Sequence, residues 1–248
     1  MSTIGITFQS HGCKLLGRLW LAKGEGAKPT MVLLHGLPGI DQNHDLAYAL
    51  KNAGWNSLIF HYRGCWGSEG DFSLPQNLED AAAVIDQLSK HPEVDENRLF
   101  LFGHSMGGWV ALMTGGHDRR IKGVVTAAAV IDWQQTLPVT GDEEVTEGIR
   151  AFVSGEMTPF LGGTSTDQLM EEFQVLPSAL EIGEQLNGRS LLLICGEKDF
   201  EGHLIQAKVL HENYSDHSEL IVIPEADHGF SWERDELIRL VLGWLEKR

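Results

Sequence analysis

Short apolar runs that alternate with helical segments are the feature that most constrains the fold of this chain. Each run is rich in leucine or β-branched residues, which is typical of a strand buried on both faces of a sheet. The runs occupy residues 30–34, 56–60, 98–102, 123–130, 190–195 and 219–223. Helical spacing of apolar side chains separates most of them, as in Ala81, Ile85 and Leu88. This alternation predicts the α/β class, with a mostly parallel sheet covered on both sides.

Two parts of the chain depart from this alternation. Residues 4–8 alternate apolar and polar side chains, and a turn at Gly12 leads into a second extended run, which predicts an antiparallel hairpin at the sheet edge. Residues 133–187 contain no buried strand, but they show helical patterns near 143–153 and 166–182, the second interrupted by Pro177. A structureless loop of that length is rare in a compact domain. We therefore predict one domain, residues 1–248, with a small cap inserted at 133–187.

Composition excludes several functional classes. The chain carries 19 basic and 35 acidic side chains, a formal net charge of −16, which disfavours nucleic acid and anionic membranes as partners. No apolar window is long enough for a membrane-spanning helix, and the N-terminal residues do not resemble a secretory signal. Cys13, Cys65 and Cys195 lack the spacing of a disulfide framework or a zinc site. We expect a cytoplasmic protein that uses no metal and no cofactor.

The strongest local signal is the sequence Gly-His-Ser-Met-Gly at residues 103–107, between a predicted strand and a predicted helix. The pattern G-x-S-x-G in that context is the nucleophile elbow, a tight turn that exposes a serine hydroxyl at the carboxyl edge of the sheet. The turn requires residues without side chains on both sides of the serine. Ser105 is therefore the predicted nucleophile.

A serine hydroxyl needs an adjacent base, and the base needs a carboxylate that fixes its tautomer. His228 follows the last predicted strand, and Asp199 follows the strand at 190–195, so both belong to the carboxyl edge that also holds Ser105. The order Ser105, Asp199, His228 is the one expected for this architecture. Asp132 and Glu201 remain alternatives to Asp199 as the acid.

Other histidines have different predicted roles. His104 lies in the elbow but is badly directed to reach the serine hydroxyl, and His35 is expected to support its own loop. His44 and His203 are expected to line the cleft without acting as the base. Asp227 is expected to face solvent or to cap the loop before His228.

Acyl chemistry also needs hydrogen-bond donors for the oxyanion that develops, each worth roughly 100- to 1000-fold in rate. One predicted donor is the backbone N–H of Met106, which follows the nucleophile. The other is the N–H of Leu37, in the loop His-Gly-Leu-Pro-Gly at residues 35–39. Gly36 permits the bend of this loop and Pro38 stiffens it.

Taken in order, these motifs resemble the α/β-hydrolase superfamily along essentially the whole chain. The motifs are HGLPG at 35–39, YRGCWGS at 62–68, GHSMGG at 103–108, GEKD at 196–199 and DHGF at 227–230. The closest resemblance is to small serine esterases related to dienelactone hydrolases, prolyl oligopeptidases and cinnamoyl or feruloyl esterases. It implies an eight-stranded sheet, the triad Ser105, Asp199 and His228, and a cap after the sixth strand. Cys65 and the loop at 200–203 depart from the usual pattern.

The expected activity is hydrolysis of a small-molecule carboxylic ester, of short-chain or aryl type, through an acyl-enzyme on Ser105. A peptidase, amidase or thioesterase would use the same triad, and a non-catalytic ligand-binding protein is a further alternative. The oligomeric state is expected to be a monomer or a homodimer. Apolar residues of the cap are expected to wall the substrate pocket, namely Phe152, Met157, Phe160, Leu161, Met170 and Phe173. Trp66, Trp133 and Trp232 are candidates either for an aromatic lining or for the core, and the core is the favoured place for Trp109.

Overall fold

The backbone forms one eight-stranded sheet in the order β1-β2-β4-β3-β5-β6-β7-β8. A computed structural model describes residues 2–40, 42–138, 142–186, 188–214 and 216–248. The strands are β1 (Thr3–Ser10), β2 (Cys13–Trp20), β3 (Lys28–Leu34), β4 (Asn56–Phe60), β5 (Val94–His104), β6 (Ile121–Ala127), β7 (Ser190–Gly196) and β8 (Ser218–Ile223). The β1–β2 hairpin is antiparallel and joins β4 in antiparallel fashion, while all other pairs are parallel. The predicted fold class is confirmed.

Helices cover both faces of the sheet and create two apolar cores. They are α1 (His44–Asn52), α2 (Gln76–Leu88), α3 (Met106–His117), α4 (Trp133–Thr136), α5 (Glu143–Phe152), α6 (Thr166–Val175), α7 (Glu201–Asn213) and α8 (Arg234–Leu245). On one face α2, α3 and α7 bury residues such as Val84, Trp109 and Leu210. On the other face α1 and α8 bury residues such as Leu50 and Val241.

The end of β6 differs from its prediction. The apolar run at 123–130 predicts a strand to residue 130, but β6 ends at Ala127. Ala128 has a positive φ of 48°, and its N–H donates to the carbonyl of Ile194. The chain therefore leaves the sheet three residues early, although its side chains remain buried. Because residues 128–130 are buried but are not part of the strand, the apolar pattern predicts a strand longer than β6.

The described residues between β6 and β7 form helices and contribute no strand to the sheet. They comprise α4, α5, a π-helix at Val153–Met157, 3₁₀-helices at Thr158–Phe160 and Ala179–Leu186, and α6. The interruption predicted at Pro177 is present: α6 ends at Val175, because Leu176 precedes Pro177 and is extended, with ψ 138°. Of the predicted cap 133–187, residues 139–141 and 187 lie outside the described residues.

A buried ion pair fixes the loop that follows β4. The Asp80 carboxylate is 0% exposed and accepts hydrogen bonds from Arg63 Nε at 2.7 Å, from the backbone N–H of Arg63 at 2.9 Å and from Ser10 Oγ at 2.6 Å. This loop in turn reaches the inserted segment, because the N–H of Gly162 donates to the carbonyl of Gly64 at 2.7 Å. One carboxylate therefore connects the hairpin, α2 and the loop.

Removal of the Asp80 carboxylate should destabilise the fold strongly. We expect Asp80→Ala to lower the free energy of unfolding by about 3–5 kcal/mol, because the Arg63 guanidinium loses a buried partner. Asp86→Ala is the matched control on the same helix, since the Asp86–Arg120 pair is largely exposed and should contribute at most about 1 kcal/mol. Urea unfolding followed by circular dichroism measures both. Equal losses of unfolding free energy in the two variants would contradict the stabilising role assigned to the buried Asp80 carboxylate.

Within the described residues, no helix is both long enough and apolar enough to cross a membrane.

Candidate active site

Ser105 occupies a strained turn between β5 and α3. Its backbone has φ 55° and ψ −122°, a region that residues with side chains rarely adopt. A Cβ on Gly107 would overlap the carbonyl oxygen of Leu34, and a Cβ on Gly103 would overlap that of Gly107. Glycine is therefore sterically required at both positions. The elbow predicted from the sequence is present, and it places Ser105 at the carboxyl edge of the sheet.

The structure brings Ser105, His228 and Asp199 together in one hydrogen-bonded chain. Ser105 Oγ lies 3.0 Å from His228 Nε2, and His228 Nδ1 lies 2.8 Å from Asp199 Oδ1. A carboxylate only accepts, so His228 Nδ1–H is the donor and Nε2 is left to accept the serine proton. This is the geometry that a general base needs to activate a hydroxyl.

Asp199 is held in its ionised form. Its side chain is 1% exposed, and burial alone would raise the pKa of this carboxyl. Hydrogen bonds from His203 and His228 outweigh that effect and hold the pKa of Asp199 well below its usual range. Asp199 therefore carries a negative charge at neutral pH.

The carboxylates that competed with Asp199 have other contacts. Asp132 caps α4, with Oδ1 accepting the N–H of Gln135 at 2.9 Å. Asp227 Oδ1 accepts the N–H of Ser231 at 2.8 Å and so caps its own loop. Glu201 is the first residue of α7. Of these candidates, only Asp199 is hydrogen-bonded to His228 in the described residues.

The two predicted oxyanion donors border the same cavity as Ser105. Leu37 and Met106 both line it, and Met106 begins α3, where N–H groups lack intrahelical acceptors. In the described part of the chain, neither N–H donates to a protein acceptor. His35 Nδ1 donates to the carbonyl of Gly36 at 2.8 Å, and burial lowers the pKa of His35 to about 4, so the ring is neutral and supports the loop.

A mostly apolar cavity of about 330 Å³ opens at Ser105. The lining side chains with polar atoms are Ser105, Trp133, Thr136, His203 and His228, and in the described chain no lining residue carries a carboxylate. The remaining lining residues are Leu37, Met106, Val130, Leu137, Gly148, Ile149, Phe152, Met157 and Phe200. A smaller cavity of about 130 Å³, lined by residues 36–40 and His104, also reaches Ser105 and His228.

Only part of the predicted pocket wall lines this cavity. Phe152 and Met157 do so, whereas Leu161, Met170 and Phe173 belong to the buried core and Phe160 is exposed. The rings of Phe173 and Trp133 stack with their centroids 5.1 Å apart, so the side of α6 that carries Phe173 packs against the core. Among the four tryptophans considered, Trp133 alone is a lining residue: Trp109 is core, and Trp66 and Trp232 are exposed.

The structure also shows the contacts of the other histidines that the sequence placed near the site. His104 Nε2 lies 2.7 Å from the carbonyl oxygen of His228 and so helps to hold the backbone of His228 in place. His44 packs against Trp20 rather than the cavity. His203 lines the cavity as expected, but its Nδ1 also lies 2.9 Å from Asp199 Oδ2, a contact that the sequence reasoning missed. The sequence signal for this contact is the spacing of four residues between Asp199 and His203, which places them one helical turn apart where α7 begins.

Asp199, His203 and His228 also converge closely enough to be considered as metal ligands. Their candidate ligand atoms lie within 4.8 Å of one another, which the sequence, read without a fold, did not indicate. Both imidazole Nδ1 atoms, however, face a carboxylate oxygen at hydrogen-bond distance. Hydrogen bonding therefore accounts for the arrangement without an ion.

Comparison with known proteins decides the family. The family model described as serine aminopeptidase S33 matches residues 25–159, more than half of the chain. The chain belongs to this family of α/β-hydrolases. The matched residues include the loop at 35–39 and the whole elbow, while Asp199 and His228 lie beyond them.

Two curated relatives and one solved structure illustrate the similarity. The quorum-quenching protein AidA of Acinetobacter baumannii is 30% identical over 135 residues, 52% of this chain and 44% of that protein. The thiohydrolase apmlB of Arthrinium phaeospermum is 31% identical over 118 residues, 46% of this chain and 38% of that protein. Est1E of Butyrivibrio proteoclasticus, solved with ferulic acid bound, superposes with a TM-score of 0.79 at 18% identity and covers 98% of both chains.

The extent of these matches limits what each of them shows. The matched regions span less than half the length of these two curated relatives. Est1E, at 18% identity, shows the fold. The family match supports hydrolase chemistry.

Proposed function

We propose that the protein is a serine hydrolase that cleaves small carboxylic esters through an acyl-enzyme on Ser105. The observation that carries this proposal is the chain of hydrogen bonds from Ser105 through His228 to Asp199, at 3.0 and 2.8 Å. Its position at an apolar cavity supplies room for an acyl group beside the nucleophile.

The reaction follows from the geometry of these groups. Ser105 Oγ attacks the ester carbonyl carbon while His228 Nε2 accepts the hydroxyl proton. The Leu37 and Met106 N–H groups stabilise the oxyanion. The bond to the alcohol oxygen then breaks as Nε2 returns the proton to that oxygen. Water repeats the attack on the acyl group, and the carboxylic acid leaves Ser105 with its proton restored.

The cavity favours an acyl group without a positive charge. An aminopeptidase substrate carries an α-ammonium group, which costs free energy to bury without a charged or polar partner. None of the described residues that line either cavity at Ser105 is acidic. A thioester is the second candidate substrate, because it presents the same carbonyl and because one curated relative is named a thiohydrolase.

The substrate class can be tested with chromogenic compounds that differ in the acyl group. We expect 4-nitrophenyl esters of four- to eight-carbon acids to be cleaved at least about 100-fold faster, by kcat/KM, than 4-nitroanilides of amino acids. The reason is that an apolar cavity of about 330 Å³ contributes binding energy to an alkyl chain and none to an ammonium group. Faster cleavage of the anilides would instead favour a peptidase.

Variants of two glycines locate the acyl group in the same assay. Gly148 lines the cavity and has open space where a Cβ would be placed, so Gly148→Leu should shift the preferred acyl chain towards acetate. Gly155 has equally open space but does not line the cavity, so Gly155→Leu should keep the wild-type preference. If Gly148→Leu kept the wild-type preference for acyl-chain length, the acyl group would have to bind outside this cavity.

A further inference from the structure

The Asp199 carboxylate lies between two histidines rather than beside one. Oδ1 accepts the Nδ1–H of His228 and the N–H of Phe200 at 2.7 Å, while Oδ2 faces His203 Nδ1 at 2.9 Å. The His203 side chain is 3% exposed, and its ring lies 5.2 Å from the ring of His228. The acid therefore has a second imidazole partner that the hydrolytic steps above do not use.

The contacts of His203 indicate which tautomer it adopts. Its Nδ1 must carry a proton to bind the carboxylate, because Asp199 has no proton to donate. Its Nε2 is buried and has no hydrogen-bond partner in the described residues. A positive charge on such a ring would leave a buried N–H without an acceptor, which costs more than an unpaired lone pair. His203 is therefore a neutral donor to Asp199.

We propose that His203 is a positioning residue of the triad: its Nδ1–H orients the Asp199 carboxylate with Oδ1 towards His228 and withdraws part of the carboxylate charge from that histidine. The catalytic part of this proposal rests on the function proposed above. The part that concerns protonation of His228 is independent of that function. In this role, His203 helps to set the pH range in which His228 can act as the base.

The direction of the effect follows from charge. A hydrogen bond to a carboxylate stabilises the anion and lowers its attraction for a neighbouring cation. With His203 in place, the imidazolium of His228 gains less stabilisation from Asp199. Since the base works only when neutral, activity is lost as the pH falls and His228 gains a proton. Removal of the His203 donor should therefore move this loss to higher pH.

Other ionisable groups near the triad have contacts of their own. The His104 ring on β5 lies 5.1 Å from His228 and is bound through Nε2 to the His228 carbonyl. Asp227, next to His228, accepts from Ser231. Burial, with a further contribution from Asp199, raises the pKa of Cys195 on β7 to about 12, so that thiol stays neutral. Replacement of His203 removes none of these contacts.

The test compares two replacements of His203 in the full chain. His203→Phe keeps a ring of similar size but has no donor, whereas the amide nitrogen of His203→Asn can occupy the place of Nδ1. His211→Asn is the matched control, because His211 lies on the same helix and binds Ser218 at 2.7 Å rather than the triad. Two readouts are taken: the His228 titration by NMR of ¹⁵N-histidine protein, and the pH dependence of Ser105 phosphonylation by a fluorophosphonate.

We expect His203→Phe to raise the pKa of His228 by about half to one unit and to move the acid limb of phosphonylation by the same amount. The rate at the plateau should fall about tenfold from loss of carboxylate orientation. His203→Asn and His211→Asn should keep the wild-type titration. An unchanged titration in His203→Phe, or an equal shift in His203→Asn, would overturn the proposal. Absence of any phosphonylation of wild type would overturn the proposed reaction, while the NMR titration would still decide the role of His203.

Discussion

Ser105→Ala should lower the kcat of ester turnover by about a millionfold, leaving only the residual acceleration that the oxyanion donors and substrate binding supply. The reason is that the three groups of a triad act as a unit, so the base and the acid have no function once the hydroxyl is gone. Incubation with a fluorophosphonate followed by intact mass measurement gives the direct readout. Wild type should gain one adduct and the Ser105→Ala variant none.

A second serine provides the control for this experiment. Ser57 is buried and its Oγ donates to the carbonyl of Ala47 at 3.0 Å, and in the described chain this serine has no hydrogen bond to a histidine. Ser57→Ala should therefore be labelled like wild type. Wild type that stays unlabelled, or a Ser105→Ala variant that still gains the adduct, would show that the nucleophile is another group.

Asp199→Asn should lower kcat by about ten-thousandfold with little effect on folding. An amide next to His228 can donate to Nδ1, which would place the imidazole proton on Nε2 and leave no lone pair to accept the serine proton. The neutral amide also fails to stabilise the imidazolium formed during the reaction. Turnover of a 4-nitrophenyl ester near neutral pH, beside circular dichroism of the variant, measures both effects.

Asp132→Asn is the matched change at the rival acid. Asp132 also follows a central strand, but its carboxylate binds Gln135 through both oxygens and caps α4. An asparagine is a good helix cap, so the turnover of Asp132→Asn should remain within a few-fold of wild type. The opposite ranking of the two variants would transfer the role of the acid to the end of β6.

The positions of Ser105, Asp199 and His228 could be predicted because topology fixes them. Residues that follow parallel strands share one edge of the sheet, whatever the details of packing. The runs at 98–102, 190–195 and 219–223 lie within β5, β7 and β8, so the loops that follow them meet at that edge. The elbow was predictable for a local reason, since its glycines are required by the backbone alone.

The cavity wall could not be predicted in the same way. Phe173 and Phe152 are both aromatic residues on helices of the inserted segment, yet one stacks on Trp133 in the core and the other lines the cavity. Which face each helix turns inward depends on tertiary packing, which residue type does not encode. The contact of His203 with Asp199 depends in the same way on where α7 begins.

The steric fit of Gly107 against the end of β3 has a consequence for protein engineering. Because the nucleophile turn touches the backbone of Leu34, any side chain added there would separate α3 from the sheet, so activity and folding would be lost together. Helix α5 is the opposite case: it lines the cavity through Gly148, Ile149 and Phe152, yet buries no residue of its own. A mutational library aimed at new substrates should keep the elbow fixed and randomise α5.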